Sequence, residues 1–163
     1  TSLPIYTCET SKLLFSIAKR RLSEFSNIHF YAMDSREFLT ALSKEDVSNK
    51  KVFIYLDAHG YDDLPLKQEI ETICQTWKNF VIMIDDFQVP NDSGYGYDSY
   101  AGNQVLSADV FLPVFLQNGL DTFFPSQPSI NETGAKRGSV ILAKNGDISK
   151  IIGKSKLLKQ HST

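Results

Sequence analysis

The sequence has few residues that would tie it to an oxidising or membranous setting. Only two cysteines occur in 163 residues. Cys8 and Cys74 sit far apart inside apolar stretches, so the simplest reading is a pair of buried, reduced thiols in a cytoplasmic protein. No apolar run approaches the roughly 20 residues that a membrane helix needs. The start has no basic segment leading into an apolar one, so no signal peptide is expected. Charge of one sign is lacking as well: 17 basic and 19 acidic residues leave a net charge of -2. That balance offers no general field for nucleic acid or an acidic membrane, and neither is expected as a partner. Internal repeats, low-complexity tracts and a domain boundary are also absent, so one domain over residues 1–163 is expected. An initiating methionine is missing too; Thr1 leads almost at once into a strand-like segment, which reads as a cut end.

What is present is an alternation of strand and helix patterns. Ile5-Tyr6-Thr7-Cys8 is β-prone and ends at Glu9. Thr10 or Ser11 can then cap a helix whose apolar positions Leu14, Ile17, Ala18, Leu22 and Phe25 recur at helical spacing. A second strand, from Ile28 to Met33, stops at Asp34-Ser35, and a short helix follows with Phe38, Leu39 and Leu42 on one side. Val52 to Leu56 and Phe80 to Ile84 are continuous apolar runs, suited to strands buried on both faces. They are separated by a helix with Pro65 in its first turn and a stripe of Leu66, Ile70, Ile73 and Trp77. This order implies a parallel sheet with helices on its faces. A glycine- and tyrosine-rich loop comes next, then a helix from Asp109 to Gln117 that Pro113 must kink or begin. Thr122-Phe123-Phe124 and Val140 to Ala143 are expected as the last two strands, and the tail from Lys150 as a solvated, partly amphipathic end.

Four of these strands close in an acid: Glu9, Asp34, Asp57 and Asp85-Asp86. Ligands of an open parallel sheet bind beyond the carboxyl ends of its strands, and gathered carboxylates call for a cation or polar ligand. Glu9 is placed to accept the hydroxyls of a ribose, or else to serve the N-terminus of the next helix. Asp34 with Ser35 could meet an adenine amino group or cap a helix. Asp57, Asp85 and Asp86 favour a hard cation such as magnesium. His59 is a candidate general base or an ordinary loop histidine. Tyr95, Tyr97 and Tyr100, among Gly94, Gly96 and Gly102, have the makings of a substrate lid or of a plain surface loop.

The segments Ile5–Glu9, Ile28–Ser35, Val52–Asp57 and Phe80–Asp86, with the closing pair around Phe123 and Ile141, resemble strands two to seven of class I S-adenosylmethionine-dependent methyltransferases. The resemblance implies an α/β, Rossmann-like three-layer sandwich: a mostly parallel sheet ending in an antiparallel hairpin, with the family's first strand and its glycine-rich turn absent before Glu9. Tyr55-Leu56-Asp57-Ala58-His59 with Ile84-Asp85-Asp86-Phe87 is similar to the metal-assisted, macrocin-type O-methyltransferases. That likeness would make Asp57, Asp85 and Asp86 ligands of Mg2+, Glu9 the ribose contact, and Asp34 and Ser35 neighbours of the adenine. The implied activity is methyl transfer from S-adenosylmethionine to a hydroxyl of a small molecule or sugar, with Asp57 and His59 catalytic. Two alternatives stay open: a non-catalytic methyltransferase-like binding scaffold, and a ureohydrolase-like hydrolase, whose Asp-Ala-His element Asp57-Ala58-His59 also resembles. Acceptor identity and oligomeric state have no motif of their own here.

Overall fold

The computed structural model describes residues 3–60, 63–100 and 104–161. The cut end expected at Thr1 and the hinge expected at Gly102 lie outside them. The chain divides after Ser48 into two compact units.

The first unit holds β1 (Ile5–Cys8), α1 (Lys12–Arg21), β2 (Ile28–Tyr31) and α2 (Ser35–Leu42). β1 and β2 pair in parallel from Ile5 opposite Ile28 to Cys8 opposite Tyr31, with α1 as the crossover that parallel pairing requires. Ser11 caps α1 by accepting from the Leu14 amide at 3.4 Å. Lys19, Arg20 and Arg21 occupy its last turn, where cations complement the helix dipole. The helix stops at Arg21 rather than running to Phe25, because the Ser23 hydroxyl takes the Arg20 carbonyl and the chain turns there. Asp34 caps α2, which buries Ser35, Phe38, Leu39 and Leu42.

The second unit holds β3 (Val52–Leu56), α3 (Leu66–Thr76), β4 (Phe80–Ile84), β5 (Ser99–Tyr100), β6 (Gln104–Val105), α4 (Ala108–Gln117), β7 (Leu120–Pro125), β8 (Val140–Lys144), α5 (Asp147–Ile152) and β9 (Leu158–Gln160). Five strands form one sheet in the order β3-β4-β8-β7-β9. α3 carries the chain across to make β3 and β4 parallel. Its entry at Pro65 needs no amide donor, and Leu66, Ile70 and Ile73 are buried along its inner stripe with Trp77 just beyond. Ile82, Ile84, Phe87, Phe115, Phe123, Val140 and Leu142 are fully buried. Burying each such side chain stabilises the unit by roughly 1.5–3 kcal/mol before entropy is counted.

Several expectations are corrected. Among the described strands, β1–β2 and β3–β4 pair in parallel, while β4–β8, β8–β7 and β7–β9 are antiparallel, so the five-stranded sheet is mixed. β3 is not buried on both faces: Phe53 and Tyr55 stand exposed on one side of this edge strand. The loop after Pro90 contains a small antiparallel ribbon, β5–β6. The tail is not merely solvated, since β9 adds to the free edge of β7 and the His161 amide donates to the Thr122 carbonyl at 2.8 Å. Pro113 lies inside α4. Cys8 and Cys74 are half-buried rather than fully so. Among the described residues no helix is long and apolar enough to cross a membrane.

Candidate functional site

In the first unit the acids at the strand ends serve their own helices. The Glu9 amide extends the β1–β2 ladder to the Tyr31 carbonyl, and its Oε1 accepts from the Ser11 amide at 2.7 Å. The other oxygen of Glu9 has no bond among the described residues. Asp34 accepts the Arg36 amide at 2.8 Å, and both its oxygens take the Arg36 guanidinium at 2.8 Å. This guanidinium holds the Asp34 carboxyl below the usual carboxylate range, against the opposing effect of burial. Ser35 is buried as the first residue of α2.

The second unit assembles a denser group at the carboxyl ends of β3 and β4. The chain leaves β3 at Asp57, and Asp85 prolongs the parallel ladder by donating its amide to the Leu56 carbonyl at 3.2 Å. Asp85 is then occupied: its Oδ2 accepts the Tyr55 hydroxyl and its Oδ1 the Asp86 amide. Asp86 turns into the left-handed region at φ 53°, a conformation that aspartate tolerates better than most residues. One carboxylate oxygen each of Asp57 and Asp86 and a ring nitrogen of His59 all lie within 4.8 Å of one another. Burial raises the Asp57 carboxyl above its ordinary value, and the charge of Asp85 raises it further. The His59 ring is packed edge-on to Tyr100 at 6.0 Å.

Two residues of this group carried no signal in the sequence. Arg137 donates from Nε to Asp86 and from Nη2 to Asp98. Asp98 also accepts the Tyr100 hydroxyl at 3.3 Å. Arg137 is held there by backbone bonds on either side: the Gly96 amide donates to the Lys136 carbonyl at 2.7 Å, the Gly138 amide to the Gly96 carbonyl at 2.8 Å and the Phe87 amide to the Gly138 carbonyl at 2.9 Å. A Cβ on Gly138 would meet the Phe87 carbonyl oxygen at 2.1 Å, so only glycine permits this approach. Their order along the chain could not have announced it.

The three tyrosines expected in a lid divide. Tyr95 is 3% exposed and donates its hydroxyl to the Gln127 carbonyl at 2.9 Å; it is a fixed core residue, not a mobile contact. Tyr100 belongs to the His59 group. Tyr97 is exposed and lines a cleft of about 580 Å³ together with Pro90, Asn91, Asp92, Asp109 and His161. None of Asp57, His59 or Asp86 lines that cleft.

Within the second unit, the order β3-β4-β8-β7 with an antiparallel β7–β8 pair is like the closing half of the class I methyltransferase sheet. Comparison with solved structures agrees. The methyltransferase domain of a bacterial CtHen1-C superposes with a TM-score of 0.52 at 10% identity, covering 88% of this chain and 78% of that one. An rRNA methylase from Streptococcus thermophilus gives 0.50 at 17% identity, covering 86% and 75%. A Clostridium thermocellum protein described provisionally as an rRNA methylase gives 0.52 at 11% identity, also covering 86% and 75%. No protein-family model and no curated protein sequence matches the chain. The expectation of a small-molecule or sugar acceptor with no nucleic-acid partner is overturned by these likenesses, two of which are to rRNA methylases. Net charge does not decide such a partner, because it averages the whole surface.

Proposed function

We propose that this chain transfers a methyl group from S-adenosylmethionine to a hydroxyl of RNA. The observation that carries the reading is the gathering of Asp57, His59 and Asp86 at the carboxyl ends of the parallel strands β3 and β4, where open α/β sheets bind their ligands. The fold and the names of its structural neighbours support the methyl donor and the RNA acceptor.

Bound S-adenosylmethionine supplies an electrophilic methyl on a sulfonium. Glu9, with one carboxylate oxygen unengaged among the described residues at the end of β1, suits the ribose hydroxyls. Asp34 suits the adenine less well, because Arg36 already takes both its oxygens; Ser35 remains its neighbour. Asp57 or His59 accepts the proton of the attacking hydroxyl, and the raised affinity of Asp57 for a proton fits that role. Tyr97 offers a flat face on which a base can stack. Much of the acceleration then comes from holding nucleophile, methyl carbon and sulfur in line. The similarity of residues 55–59 and 84–87 to the metal-assisted branch favours a cation at the same corner.

Calorimetric titration with S-adenosylmethionine, followed by transfer of labelled methyl to ribosomal RNA, tests the proposal. Binding that Glu9→Ala abolishes, with label on RNA that Asp57→Ala prevents, is the expected result. A second reading, a methyltransferase-like scaffold without catalysis, is favoured by one observation: the carboxylates of Glu9 and Asp34 both serve their own helix starts. A folded protein that binds no S-adenosylmethionine would establish it instead.

A further inference from the structure

The His59 side chain is 2% exposed, yet its Nε2 is buried without a hydrogen-bond partner among the described residues. A buried polar atom left unmatched costs about 1–3 kcal/mol, so a fold retains one where something else satisfies it. Asp57 Oδ1 is 3.9 Å from this nitrogen, too far for a hydrogen bond. It is a natural separation for two ligands of one ion, since donors at about 2.0–2.2 Å from a metal stand roughly 3–4 Å apart. Asp86 completes the group, and it keeps a second carboxylate oxygen beyond the one that Arg137 binds. Nearby charge points the same way: Asp57 feels the charges of Asp85, Asp86 and Asp98, and Arg137 pairs with Asp86 and Asp98.

Asp85 is not part of this donor set. Its two oxygens are bound by the Tyr55 hydroxyl and the Asp86 amide. The corner therefore offers one imidazole nitrogen and two carboxylates, not three carboxylates. Magnesium prefers an all-oxygen shell, whereas imidazole suits first-row transition ions.

We propose that Asp57, His59 and Asp86 form a site for a divalent first-row transition cation, with a His59 ring nitrogen as ligand. The site stands on its own geometry whether or not the chain transfers methyl groups. Within the proposed function it deepens the chemistry: an ion there would lower the pKa of the acceptor hydroxyl, and with Asp57 and His59 both ligands the hydroxyl proton would pass to bulk water rather than to either of them.

The test uses Mn2+ alone with the whole chain. Titration should show one Mn2+ per chain, bound more tightly than Mg2+, and pulsed electron paramagnetic resonance should show a nitrogen coupled to the bound ion. His59→Ala should weaken Mn2+ on the order of tenfold or more and remove the nitrogen signal, while Asp85→Asn leaves affinity within about twofold. Should His59→Ala not fold, the nitrogen signal of the unaltered protein decides alone. Bound Mn2+ without nitrogen coupling, loss of binding in Asp85→Asn with retention in His59→Ala, or no binding at all overturns the site. Titration with S-adenosylmethionine in the presence of a chelator separates the two claims: binding there with no Mn2+ site removes only the cation, and the reverse removes only the methyl-transfer reading.

Discussion

Arg137 donates its Nε–H to the carboxylate of Asp86, a residue 51 positions earlier in the chain. The same guanidinium holds Asp98 through Nη2, so one side chain clasps the turn after β4 to the segment leading into β5. A planar fork can bridge two carboxylates, and a lysine ammonium cannot do so in the same geometry. Arg137→Lys should therefore lose most of what Arg137→Ala loses. All three groups are partly exposed, so the expected cost is about 1 kcal/mol. Urea unfolding of both variants checks this, and a fully stable Arg137→Lys would show that charge alone suffices.

Gly138→Ala should be costly, because its new methyl would sit 2.1 Å from the Phe87 carbonyl oxygen. Backbone must move to admit it, at about 1–3 kcal/mol. Gly134→Ala is the control: its methyl would meet nothing closer than a Glu132 carboxylate oxygen at 3.7 Å and should shift stability by less than about 0.5 kcal/mol. Thermal melts of the pair read the difference directly. Equal melting temperatures would refute the close approach.

Asp34 links stability to pH. Its folded pKa lies below the ordinary value because Arg36 binds its ionised form. Its contribution is therefore present above the unfolded value of about 3.9 and is lost as pH falls through the depressed folded value. Asp34→Ala should cost about 1–2 kcal/mol at neutral pH through the lost cap and ion pair. The gap between variant and parent should close under acid. Denaturation curves at pH 7 and pH 3 measure it, and a gap that widens with acid would reverse the sign.

The C-terminal strand should be structural. Removing residues 156–163 takes away the β9 partner of β7 and the His161 ring, which packs edge-on to Phe124 at 5.5 Å. The expected result is a lower melting temperature and faster amide exchange in β7, with β3 and β4 little changed. Uniform protection across the sheet would mean that β9 contributes nothing.

Much of the fold was legible in local pattern. The bounds of β1, β3 and β4 coincide with runs that β-branched and aromatic residues mark plainly, and Ser11 and Pro65 announced two helix starts. The candidate site was legible in part. Acids at strand ends and His59 behind Asp57 stood out because polar residues interrupting apolar runs are conspicuous. Which of them would be free was not visible. Asp34 and Arg36 pair two residues apart, and Asp85 is taken by a tyrosine 30 positions earlier; nothing in either sequence segment ranks these bonds above the alternatives.

The sequence by itself determined where the main strands β1, β3 and β4 and the helices α2 and α3 form and which strands end in carboxylates, because those choices follow from side-chain periodicity and local capping. Only the tertiary structure decided that Tyr95 is a core residue, that β9 closes the edge of β7, and that His59 rather than Asp85 joins Asp57 and Asp86. Each of these depends on partners brought together by sheet pairing across tens of residues. Pairing of that kind is chosen by the summed packing of the whole unit, and no single segment records it.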